Sequence, residues 1–184
     1  MFPPIPSWDG MHPLIVHFPI ALLLIVPILI IIGIISAKHG PAFLFSAFVL
    51  MVLGTVAAFV AVSTGNEAGE LAERMNNVEK VLEHHEELAE TTRNVFSALT
   101  IIFAVMIFAP KLLKKELSRK VMAPLLLAFL IFYGAGTVIL INTAHEGGRL
   151  VHEFGVRAMM AGGTAANQPA APEKRRSGKD DDDD

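Results

Sequence analysis

No cysteine occurs in the chain. That excludes disulfides, thiolate metal sites, iron–sulfur ligation and thioether-attached haem of the C-x-x-C-H kind. Charge is missing locally as well. Four runs contain no Asp, Glu, Lys or Arg: Met11 to Ala37, Gly40 to Gly65, Asn94 to Pro110 and Val121 to Ala144. A helix that crosses the hydrocarbon needs about 20 apolar residues, a length that three of these runs exceed and the Asn94 run nearly meets. With 53% hydrophobic residues and a mean hydropathy of +0.52 over 184 residues, the composition is far from that of an average soluble chain. The expected fold is all-α: an integral membrane four-helix up-and-down bundle, with spans at about 13–36, 41–63, 93–112 and 121–144.

The first run has no basic flank before it, is too long for a signal h-region and lacks a small-residue cleavage site, so it is expected to stay in the mature protein. The segment Lys111 to Lys120 is short and strongly basic, and Lys38 adds to the same side. By the positive-inside rule these turns are cytoplasmic, with both termini and residues 64–93 outside, in a bacterial inner membrane facing the periplasm. The polar stretches 66–75 and 78–93 are rich in helix formers and read as helical extensions joined by a turn near Asn76-Asn77. Span four is expected to continue as helix to Met160, where Gly162-Gly163 stops it. The bundle occupies residues 1–163, and the Pro-, Ala- and Asp-rich residues 164–184 read as a disordered tail. No internal repeat is evident.

Six of the seven histidines fall at the outer end: His12, His17, His84, His85, His145 and His152. Five residues separate His12 from His17, about 140° around a helix, so the two need not face the same partner. Asn142, His145, Arg149 and His152 share a stripe at three-four spacing, with Gly148 on it, where a flat macrocycle or a close helix would need a missing side chain. In an up-and-down bundle, helix four neighbours helix one, and helix three is diagonal to helix one or adjacent to helix four. Imidazoles from two such helices can meet across the core at the separation one iron atom sets. Ionisable residues at membrane depth tend to be functional, and His17, the deepest, is the first choice. A lone interfacial histidine more commonly solvates a helix end, the reading taken for His84. Glu67, Glu70, Glu86, Glu87, Glu146 and Glu153 occupy the same end. The inward Glu-x-x-His pairs of di-iron bundles are absent, so these acids read as partners that orient imidazole or as a solvated face. Trp8 reads as interfacial, and Gly54, Gly134 and Gly136 as close-packing positions.

The order His12-Pro-Leu-Ile-Val-His17-Phe-Pro-Ile-Ala-Leu22, Thr64-Gly65, His85-Glu-Glu-Leu-Ala89 and His145-Glu-Gly-Gly-Arg-Leu-Val151 resembles a family of bacterial four-helix membrane proteins of unknown function, over about residues 11–157. Members often stand beside respiratory genes or are joined to c-type cytochrome modules. The resemblance thus implies electron transfer, with His12, His17, His85 and His145 as the matching positions. Where members often have Tyr-x-His-Gly after Leu-Val, this chain has His152-Glu-Phe-Gly155.

Together these readings give an expected membrane-bound b-type cytochrome, with one or two haem b groups ligated from His12, His17, His85 and His145, His152 in reserve, and Gly148 making room. It would exchange electrons between quinone or quinol and a periplasmic c-type cytochrome or partner subunit. No nucleic-acid partner is expected, and homodimerisation stays open. A His/Glu zinc, copper or non-haem iron site at the same mouth and a structural subunit docking a periplasmic partner are the alternatives. No residue argues for a substrate reaction of its own.

Overall fold

A computed structural model describes residues 6–73, 75, 77–115 and 117–156. It contains α1 (Trp8–Ile15), α2 (His17–Ile35), α3 (Gly40–Ala72), α4 (Glu79–Leu112) and α5 (Arg119–His152), with no strand among the described residues. Among the described residues four helical stretches are long and apolar enough to cross a membrane, the first formed by α1 and α2 together. Helix α2 packs on α3, α3 on α4, α4 on α5, and α5 back on α2, so the bundle is up-and-down, with α2 diagonal to α4. At about 1.5 Å per residue, the 33 residues of α3 and the 34 each of α4 and α5 run about 50 Å, well beyond a hydrocarbon layer of about 30 Å.

The first helix departs from the expected start. It begins at Trp8, after Ser7 in extended conformation and with Asp9 in its first turn, where an acid suits the positive end of the helix. It therefore starts a turn before Pro13. It then breaks at Val16, because Pro19 lacks the N–H that would bond Ile15 O and its ring crowds that carbonyl. Asn77 takes φ 68° in the α3–α4 turn, as expected of Asn in a tight turn. Helix α5 stops at His152, short of the expected Met160, and Gly155 at φ +70° turns the chain away. The disordered-tail reading for 164–184 lies outside the described residues.

One core runs through the bundle, formed by Leu23, Val26, Ile30, Met51, Phe96, Phe103, Phe129 and Tyr133 among others. Outside it Ile101, Ile131 and Phe132 are exposed, as a face solvated by lipid requires. Gly54 lies under Leu23, and Gly136 against Leu99 and Val95, whereas Gly134 faces open space. A second small cluster, Ala72, Leu82 and Leu150, holds the extensions together at the histidine end.

One buried bond follows from a proline. Pro27 cannot donate to Leu23 O, and in an apolar core an unpaired carbonyl is costly. Tyr133, fully buried, supplies the missing donor: its hydroxyl bonds Leu23 O at 2.8 Å. Tyr133→Phe is expected to lower the melting temperature of the detergent-solubilised protein, with a loss of about 1 kcal/mol. Equal melting of the two proteins would refute this account of Tyr133.

Candidate functional site

Two of the six histidines gathered at one end of the bundle face each other across it. The rings of His12 and His85 have centroids 6.5 Å apart and planes at 81°. His12 comes from α1 and His85 from α4, on diagonally opposed spans. Both rings are half-buried.

Each ring is held in the same way. His12 Nδ1 bonds Ala61 O on α3 at 2.9 Å and also lies 3.2 Å from Thr64 Oγ1. His85 Nδ1 bonds Thr143 O on α5 at 3.0 Å. In both cases glycine stands four residues further on: Gly65 after Ala61, and Gly147 after Thr143. In a helix the side chain at i+4 lies back over the turn before it and shields the carbonyl of residue i. Glycine there uncovers that oxygen, and its second lone pair is free for an imidazole N–H. The fit is tight. A Cβ on Gly65 would come 2.9 Å from His12 Cε1, and one on Gly147 would come 3.0 Å from His85 Cε1. The arrangement thus occurs twice, once on α1 and α3 and once on α4 and α5, although the sequence itself shows no repeat.

Threonines support both halves. Thr64 is fully buried, and its hydroxyl bonds back to Val60 O and Ala61 O. Thr143 Oγ1 bonds Ile139 O and Leu88 O, and meets buried Thr92 Oγ1 at 2.8 Å. These bonds fix the helices that carry the two carbonyls. With Nδ1 as the donor to a carbonyl, a neutral ring keeps its lone pair on Nε2. The site therefore offers two neighbouring imidazoles, each fixed through Nδ1 and each with a lone pair on Nε2.

The other expected site residues lie elsewhere. His17, first choice for depth, falls just after the break at Val16 and is exposed, as are His84, His145 and His152. Gly148 faces open space, and its neighbour Gly147 makes the room. The carboxylates expected to orient imidazole are engaged differently, because the helix backbone has taken that role. Glu146 and Glu153 both pair with Arg149, at 2.9 and 3.1 Å. Glu70, Glu86 and Glu87 line a groove between α3 and α4 with Glu73, Glu83 and Glu90. Among the described residues no three or more His, Asp or Glu side chains converge as a metal cage. Thr64, Thr143 and Gly147 were missed as site residues. The signal for them was the Gly at i+4 from a carbonyl, in Ala61-x-x-Thr-Gly65 and Thr143-x-x-Glu-Gly147.

Fold and site together define a four-helix membrane protein with a facing histidine pair at one end of its bundle. Residues 9–159 match the family described as "Predicted membrane protein (DUF2231)", and the chain belongs to that family. No curated protein and no solved structure matches it.

Proposed function

We propose that this protein is a membrane-bound b-type cytochrome holding one haem b between His12 and His85. It would pass electrons between the membrane quinone pool and a periplasmic partner. The observation that carries this reading is the facing pair of rings, 6.5 Å apart. Metal–imidazole bonds are about 2 Å long, so ring centroids at this spacing would leave room for one iron held by both His12 and His85. The donor set fits as well. Haem iron can be held by one or two protein side chains, so a pair of imidazoles would suffice for it, whereas a zinc or non-haem iron site draws three or more. When bound, the haem supplies one-electron exchange.

The residues of the chain have defined parts in this reading. His12 and His85 hold the group, and the Ala61 and Thr143 carbonyls fix the tautomer and tilt of each ring while raising its basicity. Phe96, Tyr133 and Leu140 of the buried core would keep water from the site on its inner side. The basic segment Lys111–Lys120, at the opposite end of the bundle, supports an orientation in which the histidine end faces the periplasm. The protein would sit in the cytoplasmic membrane of a bacterium.

The test is an optical spectrum of the detergent-purified protein, oxidised and then dithionite-reduced, with haem counted per chain as the pyridine haemochrome. A sharp reduced α-band at one haem per chain is the expected result. A protein that stays colourless after haem reconstitution, but retains zinc or copper on metal analysis, would replace this reading with the metal-site alternative.

A further inference from the structure

At the end of the bundle away from the histidines, a groove of about 260 Å³ opens between the last turns of α4 and the start of α5. Its walls are apolar, including Met106, Ala109, Leu113, Met122 and Leu125, and Lys115 stands on its lining. We propose that this groove, with the lysines of the α4–α5 turn, binds an anionic phospholipid, an acyl chain lying in the groove and the headgroup phosphate meeting Lys114, Lys115, Lys111 and Lys120.

Three observations carry this. First, an apolar groove with a basic rim matches the two ends of an anionic lipid, and the four lysines are exposed and form no ion pair among the described residues. Arg119 of the same turn is committed elsewhere: its guanidinium caps α2 through Ile34 O at 2.5 Å and Ile35 O at 2.7 Å.

Second, the backbone of the turn spends stability on a lysine. Leu113 caps α4, Lys114 N bonds Lys111 O, and Lys115 N bonds Pro110 O. These bonds form a Schellman motif, whose left-handed position belongs ordinarily to glycine. Here it is Lys114, at φ 51°. A side chain kept where glycine would be less strained points to use of that side chain. Third, the first turn of α5 holds Arg119 and Lys120 and no acid, the reverse of what the helix dipole favours. The result is a concentration of positive potential that an anionic headgroup would relieve.

Native mass spectrometry of the full-length protein in mild detergent tests the assignment, using equimolar phosphatidylglycerol and phosphatidylcholine with identical acyl chains. The expected result is preferential retention of phosphatidylglycerol. Lys114→Gly and Lys115→Gln should each weaken that preference about 5-fold, the worth of one basic side chain against an anionic surface, while Lys115→Arg keeps it. Lys114→Gly should also melt no lower than wild type, since glycine suits the left-handed position, so loss of lipid cannot be ascribed to unfolding. Equal retention of the two lipids would overturn the proposal, as would an undiminished preference in the Lys114→Gly, Lys115→Gln double variant. Displacement of the lipid by soluble glycerol phosphate as readily as by phosphatidylglycerol would also overturn it, because the groove would then have no part. None of these readouts depends on haem.

Discussion

Replacing His85 by Ala is expected to abolish the reduced α-band of the purified protein, and replacing His12 by Ala to abolish it or shift it to a five-coordinate, high-spin spectrum. The same change at His17, His145 or His152 should leave the band and the haem count unaltered. The contrast follows from placement. His12 and His85 are half-buried and face each other at 6.5 Å, whereas the other three are exposed. In the proposed cytochrome, loss of either imidazole would remove a ligand that no neighbouring side chain could replace, because no third His, Asp or Glu converges there among the described residues. Either single substitution should therefore remove the original α-band as fully as the double one, as is usual for groups that act as a unit. A His17→Ala protein that lost its haem while His12→Ala kept it would transfer the site to the outside of the bundle and end the present assignment.

Half of this site could be read from the residues and half could not. The four spans were legible because charge is absent from four long runs, and hydrocarbon tolerates no other arrangement of backbone than helix at that length. The end of the bundle that carries the histidines followed from counting spans. The diagonal meeting of helices one and three was also within reach of topology. What could not be read is azimuth. His12 and His17 point about 140° apart, so only one of them can look at the bundle axis. The break caused by Pro19 and the packing of α1 on α3 choose His12. On α5 the inward stripe at this level is Thr143, Gly147 and Leu150. His145 lies two residues from both Thr143 and Gly147, on the far side of the helix, and the regular spacing of His145 and His152 describes the outward face. A histidine stripe was visible in the sequence, but its direction was set by neighbouring helices. The carbonyl partners were illegible for a further reason: helix carbonyls are normally spent within the helix, and only the glycine four residues on exposes them.

That glycine leads to a prediction in which stability and binding move in opposite directions. Gly147→Ala and Gly65→Ala each add a methyl inside a helix, where alanine is favoured over glycine by about 1 kcal/mol. Both variants should fold, and the haem-free protein should melt no lower than wild type. The methyl, however, would sit 3.0 Å from His85 Cε1 in one case and 2.9 Å from His12 Cε1 in the other. Carbon atoms do not rest that close, so the imidazole must move by a few tenths of an ångström and lengthen its bond to Thr143 O or Ala61 O. Second partners that orient a metal-ligating histidine are worth about 10–100-fold in affinity. A loss of that size is expected here, read by titrating haem into the haem-free variants. Gly148→Ala supplies the control, since a Cβ at Gly148 meets nothing within 4 Å and the substitution should leave haem affinity unchanged. If Gly147→Ala bound haem as tightly as Gly148→Ala, the close fit of ring and helix would be packing alone. The carbonyls of Thr143 and Ala61 would then have no part in holding the ligands.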